Sequence, residues 1–381
     1  MKKNKKKILL LHNTSAPYRL PIFEKLSKKI DTDVVFTNVT DKNRFWKNNL
    51  KNYKFRKVNL EKGRISSLIT GIHLINKMIK KRYDLYIAGE SPDSIFTLLI
   101  LFTFAKIKKI PFVIWQGETK QYSFHTKNII KRAMEKIYRN SIYQMIDAFI
   151  SYSKETDKFL FSFGVPKEKI FTGTQIMPKE LLPRPTIKQK PKEFLNKTVF
   201  LYLGYLNERK GIDDLINAFN MINEEKSILL IVGAGKEEEK LKKLASENKK
   251  IIFKPYAEGT NKANYYSMAD CFVFPTKHDV WGFVVNEALY YNLPVISSDA
   301  AAASELIKNG KNGYVFPAGN VKELKEKMNY IIKNSEKVKD MKENIKKSDK
   351  SKIVDINLAV KTFENAINYA LKNHETNKTK H

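Results

Sequence analysis

The stretch Cys271–Leu289, CFVFPTKHDVWGFVVNEAL, decides how the rest of this sequence is interpreted. It begins with a short apolar run at 272–274, typical of a buried parallel strand, and continues as a polar loop over 275–279. From Phe283 onward it has the spacing of a helix, which places Gly282 at the helix start. The first N–H groups of a helix have no internal partner and lie at the positive end of its dipole. We therefore expect this turn to bind a phosphate.

Two carboxylates flank this turn. Asp279 lies in the loop before the helix and Glu287 lies about one turn into it, eight residues further on. Both can therefore reach a ligand held at the helix start. A phosphorylated ligand rich in hydroxyl groups would suit them.

This spacing resembles the E-x7-E motif of retaining GT-B glycosyltransferases, in particular glycosyltransferase family 4, the glycosyl transferases group 1 family. The resemblance implies that Asp279 contacts hydroxyls of the donor sugar and that Glu287 contacts the nucleoside ribose. Backbone N–H groups of the turn, at Gly282, Phe283 and Val284, would hold the diphosphate. Here the first acid is Asp where the family has Glu, which makes Glu287 the stronger candidate.

Composition sets outer limits. The 381 residues favour two domains, and the 42% hydrophobic content is sufficient for buried cores. The single cysteine excludes an intrachain disulfide framework and a cysteine metal cluster, and favours a reducing compartment. No signal peptide is visible, and the longest apolar run, 94–105, is too short to cross a membrane and is interpreted as a buried helix.

The N-terminal half alternates predicted strands and helices. Strands are predicted at 7–12, 33–37, 53–60, 84–89, 111–115 and 148–152, and helices at 21–29, 65–81, 91–105 and 127–146. Such alternation with near-continuous apolar strands predicts a parallel sheet covered on both faces. Ligands of such sheets bind at the carboxyl ends of the strands.

Loops at those ends supply candidates for the acceptor side. The first loop contains Arg19 in an APYR pattern that is similar to relatives building capsule and lipopolysaccharide chains; Arg19 either meets a phosphate or acidic acceptor, or makes a local surface ion pair. The loop after residue 115 lacks the histidine by which many relatives touch the donor sugar. Gln116 or Glu118 is expected to take that role, and Glu118 is the candidate for binding or deprotonating the acceptor hydroxyl.

A segment over 151–170 resembles the end of the first domain in this family. The first domain is therefore placed at 1–176, and the Pro- and Lys-rich residues 177–197 are interpreted as a linker. The second domain is predicted over 198–350, followed by a helix at 351–372 that crosses back to the first domain and a disordered tail at 373–381.

The second domain opens with a strand and the loop 204–211, GYLNERKG, which resembles the family's G-R-L-x-x-x-K-G phosphate loop. The leaving diphosphate gains charge as the glycosidic bond breaks, so a cation must stabilise it. Lys210 matches in place, Tyr205 stands where the family has Arg, and Arg209 compensates if the loop turns it inward. The remaining donor-site candidates are loop residues near the nucleotide, namely Gly204, Gly233, Gly235 and Tyr256.

The formal charge of +30 fits nucleic acid, an anionic membrane or a Lys-rich coding bias. We find no zinc finger, RNP-like motif or discrete basic recognition helix, so a specific nucleic-acid partner is not expected. Residues 127–146 have apolar and basic side chains at helical spacing, which indicates either a membrane-surface helix or a helix packed on the sheet.

Together these features predict an α/β protein, and the family resemblance implies the GT-B type, with two Rossmann-like domains whose parallel sheets face a central cleft. The expected function is metal-independent, retaining transfer of a hexose-type sugar from a nucleoside-diphosphate donor to a glycan or lipid-linked glycan. A UDP-sugar is expected as the donor in preference to a GDP-sugar. No cofactor is expected, and the expected location is cytoplasmic, peripheral on the inner face of the cell membrane. Two alternatives stay open: a nucleotide-sugar epimerase, and a non-catalytic module that binds an anionic membrane or nucleic acid.

Overall fold

The computed structural model describes residues 6–38, 50–59, 81–91, 95–119, 129–187 and 189–378. The chain divides into two compact units. The first combines Met1–Pro178 with Ile356–His381, and the second is Lys179–Asp355.

The first unit is built on a seven-stranded sheet in the order β3-β2-β1-β4-β5-β6-β7. Every pairing is parallel. The strand order reverses between β1 and β4, which is where an open parallel sheet forms a ligand crevice. The strands are β1 Lys7–Thr14, β2 Asp31–Asn38, β3 Arg56–Asn59, β4 Leu85–Gly89, β5 Phe112–Gln116, β6 Ala148–Ser151 and β7 Ile170–Thr172.

Within the described ranges, four helices of this unit precede the second unit in the chain. They are α1 Leu20–Lys29, α2 Ile95–Ile107, α3 Ile129–Tyr143 and α4 Lys154–Phe161. The helix predicted over 65–81 falls almost wholly on residues 60–80, which lie outside the described residues.

The expectation that the apolar run at 94–105 is a buried helix is only half correct. Helix α2 buries Leu98, Leu101 and Ala105 against the sheet, but Phe96 and Ile107 lie on its exposed side. The reason is that a helix lying on one face of a sheet is covered on one side only. Among the described residues, no helix is both long and apolar enough to cross a bilayer.

The second unit has a six-stranded parallel sheet in the order β10-β9-β8-β11-β12-β13. The order reverses between β8 and β11, so the loops that follow these two strands meet at the switch point. The strands are β8 Thr198–Leu203, β9 Ser227–Val232, β10 Ile251–Lys254, β11 Cys271–Phe274, β12 Val295–Ser298 and β13 Gly313–Phe316.

Helices cover both faces of this second sheet. Two separate clusters of buried apolar residues, one on each face, form its core. The helices are α5 Ile212–Asn220, α6 Glu238–Leu244, α7 Gly259–Met268, α8 Phe283–Tyr290, α9 Val321–Lys333, α10 Ser335–Lys347 and α11 Ser351–Val354.

Residues predicted as a linker are instead a packed part of the second unit from Lys179 onward. Leu182 and Phe194 are buried, and the backbone N–H of Thr186 donates to Asn264 Oδ1 at 2.8 Å. Lys190 pairs with Asp270. Apolar periodicity is weak here because single side chains, and not a helical face, make these contacts.

The last helix, α12 Ile356–Lys378, belongs to the first unit. One face of it completes the core on one side of the first sheet, and the Phe363 ring lies 4.9 Å from the Trp115 ring. The tail expected to be disordered from Asn373 continues this helix to Lys378, and the His374 ring contacts the Lys109 carbonyl oxygen at 2.7 Å. The buried residues of this face are Ala359, Val360, Phe363, Ala366, Ile367 and Ala370.

This packing predicts that the C-terminal helix stabilises the first unit. Phe363→Ala should lower the free energy of unfolding by about 3–5 kcal/mol, because it leaves a cavity beside Trp115. Urea unfolding of the full chain measures this. Leu358→Ala, at an exposed position of the same helix, is the matched control and should change stability by less than about 1 kcal/mol. Equal effects of both variants would contradict the packing role.

Candidate functional site

The loop between β11 and α8 has a backbone that requires glycine at its end. Gly282 has φ of 104°, in the left-handed region, and a Cβ placed there would lie 2.6 Å from Phe274 Cε1. The position thus fits glycine alone, and the chain enters helix α8 at Phe283, as predicted. Gly282, the N-cap residue, makes no side-chain cap bond to this helix.

Asp279 lies in the same loop and is surrounded by positive charge. Its carboxylate pairs with Lys210 and lies 3.5 Å from Arg209 Nη1, while the Trp281 N–H donates to its second oxygen at 3.3 Å. Burial would raise the pKa of Asp279, but the two cations and these hydrogen bonds outweigh burial and lower it to about 2. The carboxylate is therefore ionised at neutral pH.

The loop after β8 brings both cations to Asp279, across the switch point of the sheet. Arg209 also donates to the His278 carbonyl oxygen at 2.6 Å, so its guanidinium is turned toward this loop. Its side chain is nevertheless 41% exposed, so the compensating role of Arg209 stays a prediction. Tyr205, at the position of the family's Arg, is half-buried.

Glu287 lies in the second turn of α8 and is buried. Lys262 donates to its Oε1 at 2.7 Å and the Tyr266 hydroxyl donates to its Oε2 at 2.8 Å. Lys262 and Tyr266 are four residues apart on α7, so they project from one helix face. The Tyr266 ring is stacked on the Tyr291 ring at 5.2 Å. Sequence analysis missed Lys262 and Tyr266, which reach Glu287 from another helix.

The glycines after β9 serve loop packing. A Cβ on Gly233 would lie 1.9 Å from the Gly204 carbonyl oxygen, and one on Gly235 would lie 2.2 Å from the Leu206 carbonyl oxygen. The two loops therefore touch backbone to backbone, and the Leu206 N–H donates to the Ala234 carbonyl oxygen at 3.0 Å.

Tyr256 lies near the same group of residues. Burial above all, together with the charges of Tyr205, Glu258 and Glu287, raises the pKa of its hydroxyl to about 12. Tyr256 is therefore close enough to these three residues to feel their charge. The candidates from three separate loops of the second unit are thus brought to one region.

In the first unit, Arg19 is not the surface arginine that one of the two alternatives expected. Its side chain is buried, its guanidinium donates to the Thr174 carbonyl oxygen and to Gln175 Oε1, both at 2.9 Å, and it lies over the Trp115 ring at 4.6 Å. This guanidinium therefore ties the first loop to the residues that follow β7.

Glu118 lies in a buried polar cluster at the carboxyl ends of β4 and β5. Arg139 lies 3.6 Å from Glu118 and 3.3 Å from Glu90, and the Tyr143 hydroxyl donates to Glu90 at 2.7 Å. Gln116 is buried, and its Oε1 accepts from the Glu118 N–H at 3.1 Å, so it fixes the backbone of the candidate acid.

Burial raises the pKa of Glu118 to about 8, against the opposing effect of Arg139, and Glu90 and Glu135 add to the rise. Sequence analysis missed Glu90 and Arg139 as partners. Glu90 follows a strand directly, which was a signal. Arg139 lies in the helix predicted either to bind a membrane surface or to pack on the sheet, and neither alternative gave it a role beside Glu118.

Neither unit offers a cluster of metal ligands within the described ranges: no group of three His, Cys, Asp or Glu residues is placed to hold an ion. Asp213 and Asp214, in the first turn of helix α5, lie 2.7 and 3.7 Å from Lys277 Nζ.

The raised pKa of Glu118 predicts a pH-dependent stability. Between the ordinary pKa of 4.5 and about 8, the Glu118 carboxyl is protonated in the folded protein and ionised in the unfolded chain. The contribution of this proton to the free energy of unfolding is therefore fully present below pH 4.5 and is lost as the pH rises through about 8. Glu118→Gln should consequently gain stability relative to the natural protein between about pH 5 and pH 8, in urea unfolding. Glu168→Gln, at an exposed position, should show no such trend; a flat difference for Glu118→Gln would contradict the buried acid.

Comparison with known proteins identifies the second unit most directly. Residues 183–348 match the family model "Glycosyl transferases group 1". An uncharacterized glycosyltransferase of Haemophilus influenzae is 26% identical over 289 residues, covering 74% of each chain.

Two solved structures share the architecture over nearly the full length. The lipopolysaccharide outer core galactosyltransferase WaaB superposes with a TM-score of 0.70 at 18% identity, covering 95% of this chain and 99% of that one. HepE of Anabaena, in complex with UDP-glucose, gives 0.71 at 16% identity, covering 94% and 98%. Residues 183–348 therefore match the glycosyl transferases group 1 family, and the two Rossmann-like units have the predicted GT-B fold.

Proposed function

We propose that this protein is a retaining glycosyltransferase that moves a hexose-type sugar from a nucleoside diphosphate to a glycan or lipid-linked glycan, in the synthesis of a cell-surface polysaccharide. The observation that carries the proposal is the assembly at the switch point of the second sheet. There, a glycine-started helix, two cations and an ionised carboxylate come together, beside a second carboxylate that is already fixed by two donors.

Lys210, Arg209 and the start of α8 would bind the donor diphosphate. Lys210 and Arg209 together carry two positive charges, and Asp279 neutralises only one, so an excess positive charge remains for phosphate oxygens. Backbone N–H groups at the helix start add donors aimed at the same anion. Stabilisation of the leaving diphosphate by these groups makes a metal unnecessary in the proposed reaction.

The two carboxylates would bind the other two parts of the donor, the sugar and the ribose. Asp279 is ionised at neutral pH and accepts hydrogen bonds from hydroxyls of the sugar. Glu287 has each oxygen held by one donor, Lys262 or Tyr266, and each oxygen keeps a lone pair for a ribose hydroxyl. A vicinal diol fits two such acceptors on one carboxylate.

In the proposed step, the bond between C1 of the sugar and the β-phosphate oxygen breaks, and the diphosphate leaves with the electron pair. The acceptor oxygen forms its bond to C1 on the same face, so the configuration is retained. The acceptor proton passes to the leaving phosphate oxygen. Glu118 would bind the acceptor hydroxyl, with Gln116 holding its backbone in place.

The proposed preference for a UDP-sugar over a GDP-sugar as donor rests on similarity to solved structures. A structure of the same fold is that of HepE with UDP-glucose, and WaaB is described as a lipopolysaccharide galactosyltransferase. Both descriptions concern those proteins, and they support the proposed donor and acceptor classes here.

Loss of Glu287 should weaken donor binding. Glu287→Ala removes hydrogen bonds from the ribose to a charged acceptor, so we expect the dissociation constant of the best nucleoside diphosphate to rise by about 10- to 100-fold. Thermal stabilisation by a panel of nucleoside diphosphates and their sugars, without added metal, measures this. Glu239→Ala, on the exposed side of α6, is the control and should bind as the natural protein does. No thermal shift with any member of the panel would sink the donor-site assignment.

Loss of Lys210 should impair the chemical step. Lys210→Met removes a cation from the leaving group, and we expect kcat to fall by about 100- to 1,000-fold, with a smaller loss for Lys210→Arg. The assay follows release of the nucleoside diphosphate and the fate of the sugar. Unchanged kcat in Lys210→Met would contradict the role.

The same assay separates the alternatives. Transfer gives a free nucleoside diphosphate and a glycosylated acceptor. An epimerase would return an isomeric nucleotide-sugar, and a non-catalytic module would bind the donor and leave it unconsumed.

A further inference from the structure

A fully buried amide lies directly beside the candidate donor site. Asn286 precedes Glu287 on α8, and none of its surface is exposed. Burying an amide costs free energy and asparagine is a poor helix former, so an asparagine here needs hydrogen-bond partners that compensate. Nearby residues of α8, Val285 and Ala288, are apolar and equally buried. Packing alone would therefore favour an apolar residue at position 286.

The two ends of the Asn286 amide bind two different parts of the second unit. Its Oδ1 accepts a hydrogen bond from the Trp281 indole N–H at 2.8 Å, and its Nδ2 donates to the Ile353 carbonyl oxygen at 3.2 Å. An indole N–H can only donate and a carbonyl oxygen can only accept, so these partners fix which way the amide faces. The amide thereby joins the turn before α8 to α11.

Trp281 lies within that turn, between Asp279 and Gly282. We call residues 279–283 the donor turn. The backbone N–H of Trp281 donates to Asp279 Oδ1 at 3.3 Å, and its carbonyl oxygen accepts from the Ala303 N–H at 2.9 Å. Its ring is buried in the core on one face of the second sheet. A movement of this ring would therefore move the backbone that orients Asp279.

The loop after β12 holds another side of the donor turn. The Asp279 N–H donates to the Ala300 carbonyl oxygen at 3.0 Å, and the Ala302 N–H donates to the Asp279 carbonyl oxygen at 3.3 Å. Together with the bond from Ala303, these contacts fix the backbone of the turn along one edge. The Trp281 side chain adds a contact to α8 itself.

Helix α11 also holds α8 at a second point. Lys350, directly before α11, donates through Nζ to the Tyr290 carbonyl oxygen at 2.9 Å and to Asn292 Oδ1 at 2.5 Å. A cation at the carboxyl end of a helix meets the negative end of the dipole and carbonyl groups that lack a helical partner. The eight residues of α8 span about 12 Å, so α11 contacts this helix both at its middle and at its end.

We propose that Trp281 and Asn286 are positioning residues for the donor turn, and that α11 anchors them. Their hydrogen bonds to each other and to Ile353 fix where Asp279 and the start of α8 lie before a diphosphate arrives. Stabilisation of a leaving group depends on charges and donors that are already aimed at it, so a displacement of about 1 Å weakens it. The inference rests on the proposed transfer reaction, because these residues act through its donor site.

The first test follows the Trp281 indole N–H in the full chain by nuclear magnetic resonance. The sequence has three tryptophans, so indole labelling with ¹⁵N gives three N–H signals, and Trp281→Phe identifies one of them by its loss. We expect whichever of UDP, GDP and ADP raises the melting temperature to shift the Trp281 signal. Asn286→Leu should shift that signal without nucleotide, because the acceptor of its hydrogen bond is gone. A Trp281 signal that neither change moves overturns the proposal.

The second test measures affinity for the same nucleotide. Trp281→Phe keeps an aromatic ring but removes the indole N–H, and Asn286→Leu removes the amide at similar volume. Each should raise the dissociation constant by about three- to tenfold. The double variant should bind no more weakly than Asn286→Leu alone, because both changes remove one shared contact. Losses that multiply in the double variant contradict the shared contact.

Lys350→Met tests the anchor at the far end of α8. It should weaken nucleotide binding by about threefold, because it loosens the helix that carries the donor turn. Lys339→Met, at an exposed position of α10, removes the same charge and should bind as the natural protein does. Met341→Ala makes a cavity on the other face of the sheet, so it should lower the melting temperature and leave affinity unchanged. Equal losses of affinity in these controls would overturn the positioning role.

The same measurements separate this inference from the donor site itself. If none of UDP, GDP and ADP raises the melting temperature of the natural protein, the donor site is rejected and the positioning role falls with it. If a nucleotide binds the natural protein and every variant equally well, the donor site stands and the positioning role alone is rejected.

Discussion

The ion pair between Lys210 and Asp279 is the contact on which the candidate donor site depends. It joins the loop after β8 to the loop after β11, the two loops that a parallel sheet brings together where its strand order reverses. Asp279 orients the lysine, and the lysine keeps Asp279 ionised. Because Gly282 turns the chain directly into α8, the helix start lies only a few residues from this pair. A cation, a carboxylate and a helix N-terminus therefore share one small region.

The buried acids of the protein show how environment decides protonation. Asp279 has Lys210 in direct contact and Arg209 nearby, and its pKa is lowered to about 2. Glu118 shares a single arginine with Glu90 and Glu135, and burial raises its pKa to about 8. The number of cations per carboxylate separates the two cases. The first arrangement suits an acid that must stay charged, and the second suits an acid that exchanges a proton near neutral pH.

In the first unit, helices pack on both faces of the parallel sheet. In the first unit the C-terminal helix α12 completes the core and encloses Trp115, next to the buried Arg19. Helices α2 and α3 cover the opposite side of that sheet and leave an apolar outer surface.

The sequence by itself determined the parallel order of strands and helices, the helix start at Gly282 and the pair Asp279 and Glu287, because hydrophobic period, glycine geometry and spacing are local properties. It also pointed to Lys210 through its loop. Only the tertiary structure decided which cation meets which acid. Lys262 and Tyr266 reach Glu287 from another helix, Arg139 reaches Glu118 across the sheet edge, and the supposed linker packs through isolated side chains. Likewise, the apolar composition of α2 is local, but the side of α2 that is covered depends on which neighbour lies there. Such contacts join residues far apart in the chain, and no local pattern encodes them.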